Sequence, residues 1–142
     1  MTPPPSQPAR FPVSIKGVAV QHGNVLLLHN ERDEWELGGG KLASGEDPAD
    51  CLTREIFEET GWHVDVDAIV HSWLYRIREN VEVFVVIYGV HVRSTHPPQV
   101  SDEHDRIGLF APADVPALPM PEPYKVAIAK WCTMLGLTDT PH

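Results

Sequence analysis

Gly40-Lys41-Leu42-Ala43-Ser44-Gly45-Glu46 and, after seven intervening residues, Arg54-Glu55-Ile56-Phe57-Glu58-Glu59-Thr60-Gly61-Trp62 are the stretch on which the reading of this chain turns. The second half is a helix by its punctuation. Asp47 is suited to cap it, Pro48 to open it, and Gly61 to follow its end. Ala49, Leu52 and Ile56 recur at helical spacing and give a core-facing stripe. Glu55, Glu58 and Glu59 stand at i, i+3 and i+4, so they share another face of the same helix. Carboxylates about 5 Å apart repel by ~3 kcal/mol per pair at an effective dielectric of ~20. Arg54 is the only cation in the helix, and no Lys occurs between Lys41 and Lys125.

Two readings compete for that acidic face. In one it is solvated, and water reduces each repulsion below about 1 kcal/mol. In the other it holds a hard divalent cation, because carboxylate oxygens are the ligands Mg²⁺ or Mn²⁺ prefers. A backbone carbonyl from the glycine run could add a further oxygen. The wider spacing decides. Nine positions are fixed in the order G-x₅-E-x₇-R-E-I-x-E-E-x-G-W, and seven of them alone have a chance probability on the order of 10⁻⁸ per start.

The segment resembles the box of the Nudix hydrolases, which Gly40, Glu46, Arg54, Glu55, Ile56, Glu58, Glu59 and Gly61 match position by position. Trp35-Glu36-Leu37-Gly38-Gly39-Gly40-Lys41 is similar to the family's lead-in. Gly38 departs from it, standing where many members have Pro, and Trp62 stands where the box usually ends in an aliphatic residue. The resemblance implies an α/β Nudix fold, a mixed curved sheet sandwiched between helices. It implies divalent-metal-dependent hydrolysis of a diphosphate bond in a nucleoside diphosphate derivative. It makes Glu58 and Glu59 the main metal ligands with the carbonyl of Gly40, and Glu55 a further ligand or the base that orients water. It makes Arg54 and Glu46 an internal ion pair joining loop and helix, beside the structural Gly61. The cofactor implied is Mg²⁺, with Mn²⁺ as a substitute.

Around this centre the other candidates stay open. Arg32 precedes the lead-in, where it either contacts substrate phosphates or pairs with Asp33 or Glu34. Lys41 is a second candidate phosphate contact. Glu103, in Ser101-Asp-Glu-His-Asp105, is either an alternative catalytic base or part of a solvated acidic loop. The eight histidines form no ligand pattern. Trp73, Tyr75, Phe84 and Tyr88 alternate on strands and read as core, as do Trp131 and Met134 on the last helix. Cys51 reads as a packed residue.

Composition narrows the class further. The chain has 142 residues, 42% apolar and 22% charged, with 11 Lys+Arg against 20 Asp+Glu and a net charge of −9. That is a folded globular composition. The acidic balance disfavours nucleic acid or an anionic membrane as the main partner. A small nucleotide fits if a cation inverts the local field. Whether the chain forms a homodimer is not legible. Two cysteines make no disulfide framework, the N-terminus lacks a signal-peptide pattern, and a cytoplasmic location is expected.

The remaining pattern places strands at Val13–Val20 and Val25–Leu28, joined by a turn at Gln21–Asn24. A short strand follows at Trp35–Leu37, then long strands at Val64–Ile77 and Val81–Val92 and one more at Ile107–Phe110. A second helix runs from Tyr124 to about Leu135. Residues 1–12 read as a proline-rich tail, 13–137 as one Nudix-like domain, and 138–142 as a short C-terminal tail. Within the implied class a (d)NTP pyrophosphohydrolase of the MutT kind is favoured, with an ADP-ribose or nucleotide-sugar pyrophosphatase as the near alternative. A Nudix-fold isomerase and a non-catalytic nucleotide-binding module are the readings from other classes.

Overall fold

Val13–Gln21 (β1) is the strand around which the sheet is assembled. A computed structural model describes residues 7–100 and 106–137. β1 turns through His22-Gly23 into Asn24–His29 (β2), and the two pair only at their turn ends, Val20 with Val25 and Gln21 with Asn24. His22 and Gly23 both have positive φ, at 53° and 80°, as a tight hairpin turn requires. Trp35–Glu36 (β3) pairs with β2, and Gly38–Lys41 (β4) pairs antiparallel with β1 from Gly17–Gly38 to Ser14–Lys41. The glycine run is therefore a strand. Its ladder hydrogen bonds to β1 fix the path that the missing proline would otherwise restrict.

Pro48–Thr60 (α1) follows. Then come the long hairpin Val64–Arg78 (β5) and Val81–Val92 (β6), Arg106–Phe110 (β7), a 3₁₀ turn at Pro112–Ala117, and Glu122–Met134 (α2). β6 returns parallel to β1, pairing Val13 with Phe84 through Val20 with His91. The order β3-β2-β1-β6-β5, with β4 also on β1 and β7 on β2, makes a seven-stranded mixed sheet.

Period-two alternation sends successive β1 residues to opposite faces. Ile15 and Ala19 join Leu26, Leu28, Cys51, Leu52, Ile56 and Trp62 in the core under α1. Val18 joins Val85, Ile87, Tyr124, Ile128 and Trp131 in the core under α2. The sheet is thus a layer between two helices. Leu52, Ile56 and Trp62 are fully buried, and burying each aliphatic side chain contributes roughly 1.5–3 kcal/mol. Trp62 fills the slot expected of an aliphatic residue, and its Nε1–H finds the His96 carbonyl at 2.9 Å. Phe84 departs from the expected pattern. It lies on the face away from Val83 and Val85 and stays 37% exposed. Pro12, just before β1, continues that strand's pairing with β6, its carbonyl accepting the Phe84 N–H at 2.9 Å. Among the described residues no helix is long and apolar enough to cross a membrane.

Candidate active site

α1 carries most of the site, and its ends are fixed as the sequence dictates. The Asp47 side chain accepts from the Ala49 and Asp50 N–H groups at 3.2 and 3.4 Å. Gly61, at φ 75°, closes the helix and donates its N–H to the Phe57 carbonyl at 2.8 Å. With Leu52 and Ile56 anchored in the core, Arg54, Glu55, Glu58 and Glu59 are carried along the flank that faces β4 and the 42–46 loop.

The three carboxylates take different stations. Glu59 is 4% exposed and accepts the Gly39 N–H at 2.8 Å. Gly39 has φ 138°, and a Cβ there would fall on the Ile15 carbonyl oxygen. Only glycine carries the chain through that point. Glu55 lies against Gly40, where an added Cβ would come within 2.6 and 2.7 Å of its two carboxylate oxygens. Glu58 is the outermost, its side chain 56% exposed.

Arg54 links them. Its Nε and Nη2 donate to the Glu46 carboxylate at 3.1 and 3.2 Å, and its Nη1 reaches Glu55 at 3.1 Å and Glu58 at 3.3 Å. The Ala43 N–H, and then Arg54, hold the Glu46 carboxyl below its ordinary pKa. The expected Glu46–Arg54 pair is present and ties the loop after β4 to α1.

Among the described residues no three His, Cys, Asp or Glu side chains converge closely enough to hold a metal ion. Two carboxylates turn to Arg54 and one to Gly39, which relieves the mutual repulsion expected from their spacing. The donor chemistry nevertheless fits a hard cation. Three carboxylates on one helical flank and an adjacent backbone carbonyl are all-oxygen ligands of the kind Mg²⁺ takes. The missing side chain at Gly40 opens the space that Glu55 occupies.

Beside β4 a cleft of about 120 Å³ is lined by Lys16, Arg32, Glu36, Lys41, Tyr75 and Tyr124, over a floor that includes Val83 and Val85. Arg32 and Lys41, both singled out in the sequence, meet here. Arg32 is also ion-paired, to Glu31 at 3.3 Å, Glu34 at 3.5 Å and Glu36 at 3.6 Å. The expected alternative partner Asp33 instead takes His29 Nε2 at 2.8 Å. Asn30 Nδ2 donates to Glu36 at 3.0 Å.

Sequence reasoning passed over Lys16, whose Nζ donates to the Leu37 carbonyl at 3.2 Å. The signal was there: a lysine in the middle of an apolar strand. Burial opposes its charge, but Glu36, Tyr124, Glu59 and Glu55 together outweigh that, and its pKa lies above the ordinary lysine value. Tyr75, expected in the core, lines this cleft. Burial pushes the hydroxyl pKa of both Tyr75 and Tyr124 up.

Glu103 lies outside the described residues. Cys51 is fully buried, and its thiol pKa is pushed up to about 11 by burial and then by Glu46. It packs and is not activated.

Comparison with known proteins agrees with this geometry. A 66-residue stretch is 39% identical to a MutT-like protein of Streptomyces ambofaciens, spanning 45% of this chain and 43% of that protein. The chain thus spans less than half the length of that relative. The MutT protein of Methanosarcina mazei superposes with a TM-score of 0.76 at 17% identity, over 92% of this chain and 99% of that one. An ADP-ribose pyrophosphatase from Streptococcus suis superposes with a TM-score of 0.65 at 20% identity, over 92% and 94%. At these identities the two structures establish the fold. The family model of the NUDIX domain matches residues 11–132, a span that takes in the whole sheet, the box helix and most of α2. The chain therefore belongs to the NUDIX domain family, a family of hydrolases.

Proposed function

We propose that this chain hydrolyses a phosphoanhydride bond of a nucleoside diphosphate derivative, with Mg²⁺ as cofactor and Mn²⁺ as a substitute. The observation that carries the proposal is the box helix held by Arg54 to Glu46 while Glu59 is held by Gly39. That arrangement keeps several carboxylates beside a cleft rich in cations. A helix face designed only for solvation has no need of a buried glutamate or of a glycine, Gly40, whose missing side chain makes room for a carboxylate.

Glu58 and Glu59, with the Gly40 carbonyl, are the groups that would hold the cation. When bound, it supplies charge neutralisation at phosphate and a lowered pKa for water. The chain's own residues do the rest. Arg54, bidentate on Glu46, keeps the loop in place beside Glu55 and Glu58. Glu55 then orients the attacking water and accepts its proton, with Glu103 as the alternative base. Arg32 and Lys41 bind phosphate oxygens.

Within this class a (d)NTP pyrophosphohydrolase is the first reading, supported by the 39% identity to a MutT-like protein. An ADP-ribose pyrophosphatase is the second, supported by the structural likeness to one. A nucleotide panel with Mg²⁺ or Mn²⁺ separates them. Release of pyrophosphate from dNTPs supports the first, and AMP with ribose 5-phosphate from ADP-ribose supports the second. Rearranged diphosphate esters without hydrolysis would mark an isomerase. Binding without any product would mark a binding module.

A further inference from the structure

The cleft beside β4 is too small for a nucleotide. Pockets that enclose a whole ligand start at roughly 300 Å³, and this one is about 120 Å³. It has room for one group. Its charge selects which. Lys16, Arg32 and Lys41 bring three cations to its lining, where Glu36 is the one carboxylate. Arg32 already shares its guanidinium with Glu31, Glu34 and Glu36. Lys16 is the deepest of the three cations. It sits mid-strand in β1, opposite Gly39 of β4, with its ammonium on the Leu37 carbonyl at 3.2 Å. An ammonium carries three donors and no acceptor, and that bond engages one.

We propose that this cleft takes a single phosphate group of the substrate and that Lys16 is its innermost contact, donating to a phosphate oxygen on the side of the sheet away from the box helix. The inference rests on the hydrolase reading above and adds to it a binding residue that neither the box nor its lead-in contains. Because β1 pairs with β4 at Lys16–Gly39, and Gly39 bonds Glu59, the ammonium and the box carboxylates are fixed relative to each other through one strand pair.

Three variants test this: Lys16→Met and Lys16→Gln, which remove the charge, and Lys16→Arg, which keeps it. The probes are α,β-methylene analogues of ADP and GDP, titrated calorimetrically with Mg²⁺ present, alongside KM and kcat on any nucleotide the wild type hydrolyses and thermal midpoints for all four proteins. The expected result is at least tenfold weaker analogue binding for Met and Gln, a KM raised in proportion with a smaller change in kcat, and partial recovery in Arg. Binding by Met or Gln within threefold of wild type overturns the proposal, as does a loss that Arg does not recover at all, which marks a packing role. If one neutral variant fails to fold, the other supplies the comparison. A wild type that neither binds nor hydrolyses any nucleotide overturns the hydrolase reading and this one with it. A wild type that hydrolyses, with Met and Gln variants that do so at unchanged KM, overturns this one alone.

Discussion

Glu59 and Gly39, twenty residues apart in sequence, are joined by a 2.8 Å hydrogen bond between a carboxylate and a backbone N–H, both buried. The bond fastens the box helix to the strand that leads into the box. A charged acceptor makes such a bond stronger than a neutral one. Glu59→Gln keeps an acceptor oxygen and should leave the thermal midpoint within a few degrees while removing hydrolysis. Glu59→Ala strands the Gly39 donor and should cost about 1–3 kcal/mol. Urea unfolding with a parallel activity assay checks both.

Gly39 and Gly40 differ in what a methyl group would do. At Gly39 it meets the Ile15 carbonyl, at a φ that side chains avoid. Gly39→Ala should therefore destabilise the fold by on the order of 3 kcal/mol or more. At Gly40 it meets the Glu55 carboxylate, a side chain with room to rotate. Gly40→Ala should leave a folded protein with hydrolysis reduced at least tenfold. Chemical denaturation and initial rates on the two variants separate the outcomes.

Acid should act through Glu46. Its carboxyl is held low by the Ala43 N–H and then by Arg54. A group whose folded pKa is depressed stabilises the fold above its unfolded value and loses that contribution as pH falls through its folded value. Stability should fall as pH drops below about 4.5, the ordinary value of the group. Glu46→Gln should lower stability at neutral pH and flatten this part of the acid limb. Thermal midpoints measured between pH 7 and pH 3 for both proteins check the sign.

Trp62 holds the segment that follows β6. Its Nε1–H bonds the His96 carbonyl, which also accepts from Gln21 Nε2 at 3.2 Å, and the Gln99 N–H bonds Thr60. Trp62→Phe keeps most of the buried volume and removes one donor, so it should cost about 1–2 kcal/mol. Amide exchange should rise at residues 96–100 more than in α1. Equal protection there in wild type and variant would show that the Trp62 donor is not what holds the segment.

The helix, its caps and the two long strands were legible because each rests on local chemistry: Asp47 and Gly61 at the ends of α1, alternation along β5 and β6. The Glu46–Arg54 pair followed from motif spacing. What was not legible depends on which strand lies beside which. The glycine run became β4 because β1 offers it a ladder, a fact outside any local window. Lys16 enters the cleft because β1 is central, with β4 on one side and β6 on the other. Phe84 is partly exposed, which alternation within β6 cannot reveal. The carboxylates share a helix flank as their spacing requires, but Arg54 and Gly39 decide where each one points.

The most direct test of the hydrolase reading removes one carboxylate and watches metal and chemistry together. Mn²⁺ binding by electron paramagnetic resonance and nucleotide hydrolysis with Mg²⁺ are measured on wild type and Glu58→Gln, the exposed member of the three, with circular dichroism to confirm that the fold persists. The expected result is Mn²⁺ binding weakened at least tenfold and hydrolysis reduced at least a hundredfold in a folded variant. Mn²⁺ binding and turnover equal to wild type in Glu58→Gln would contradict it.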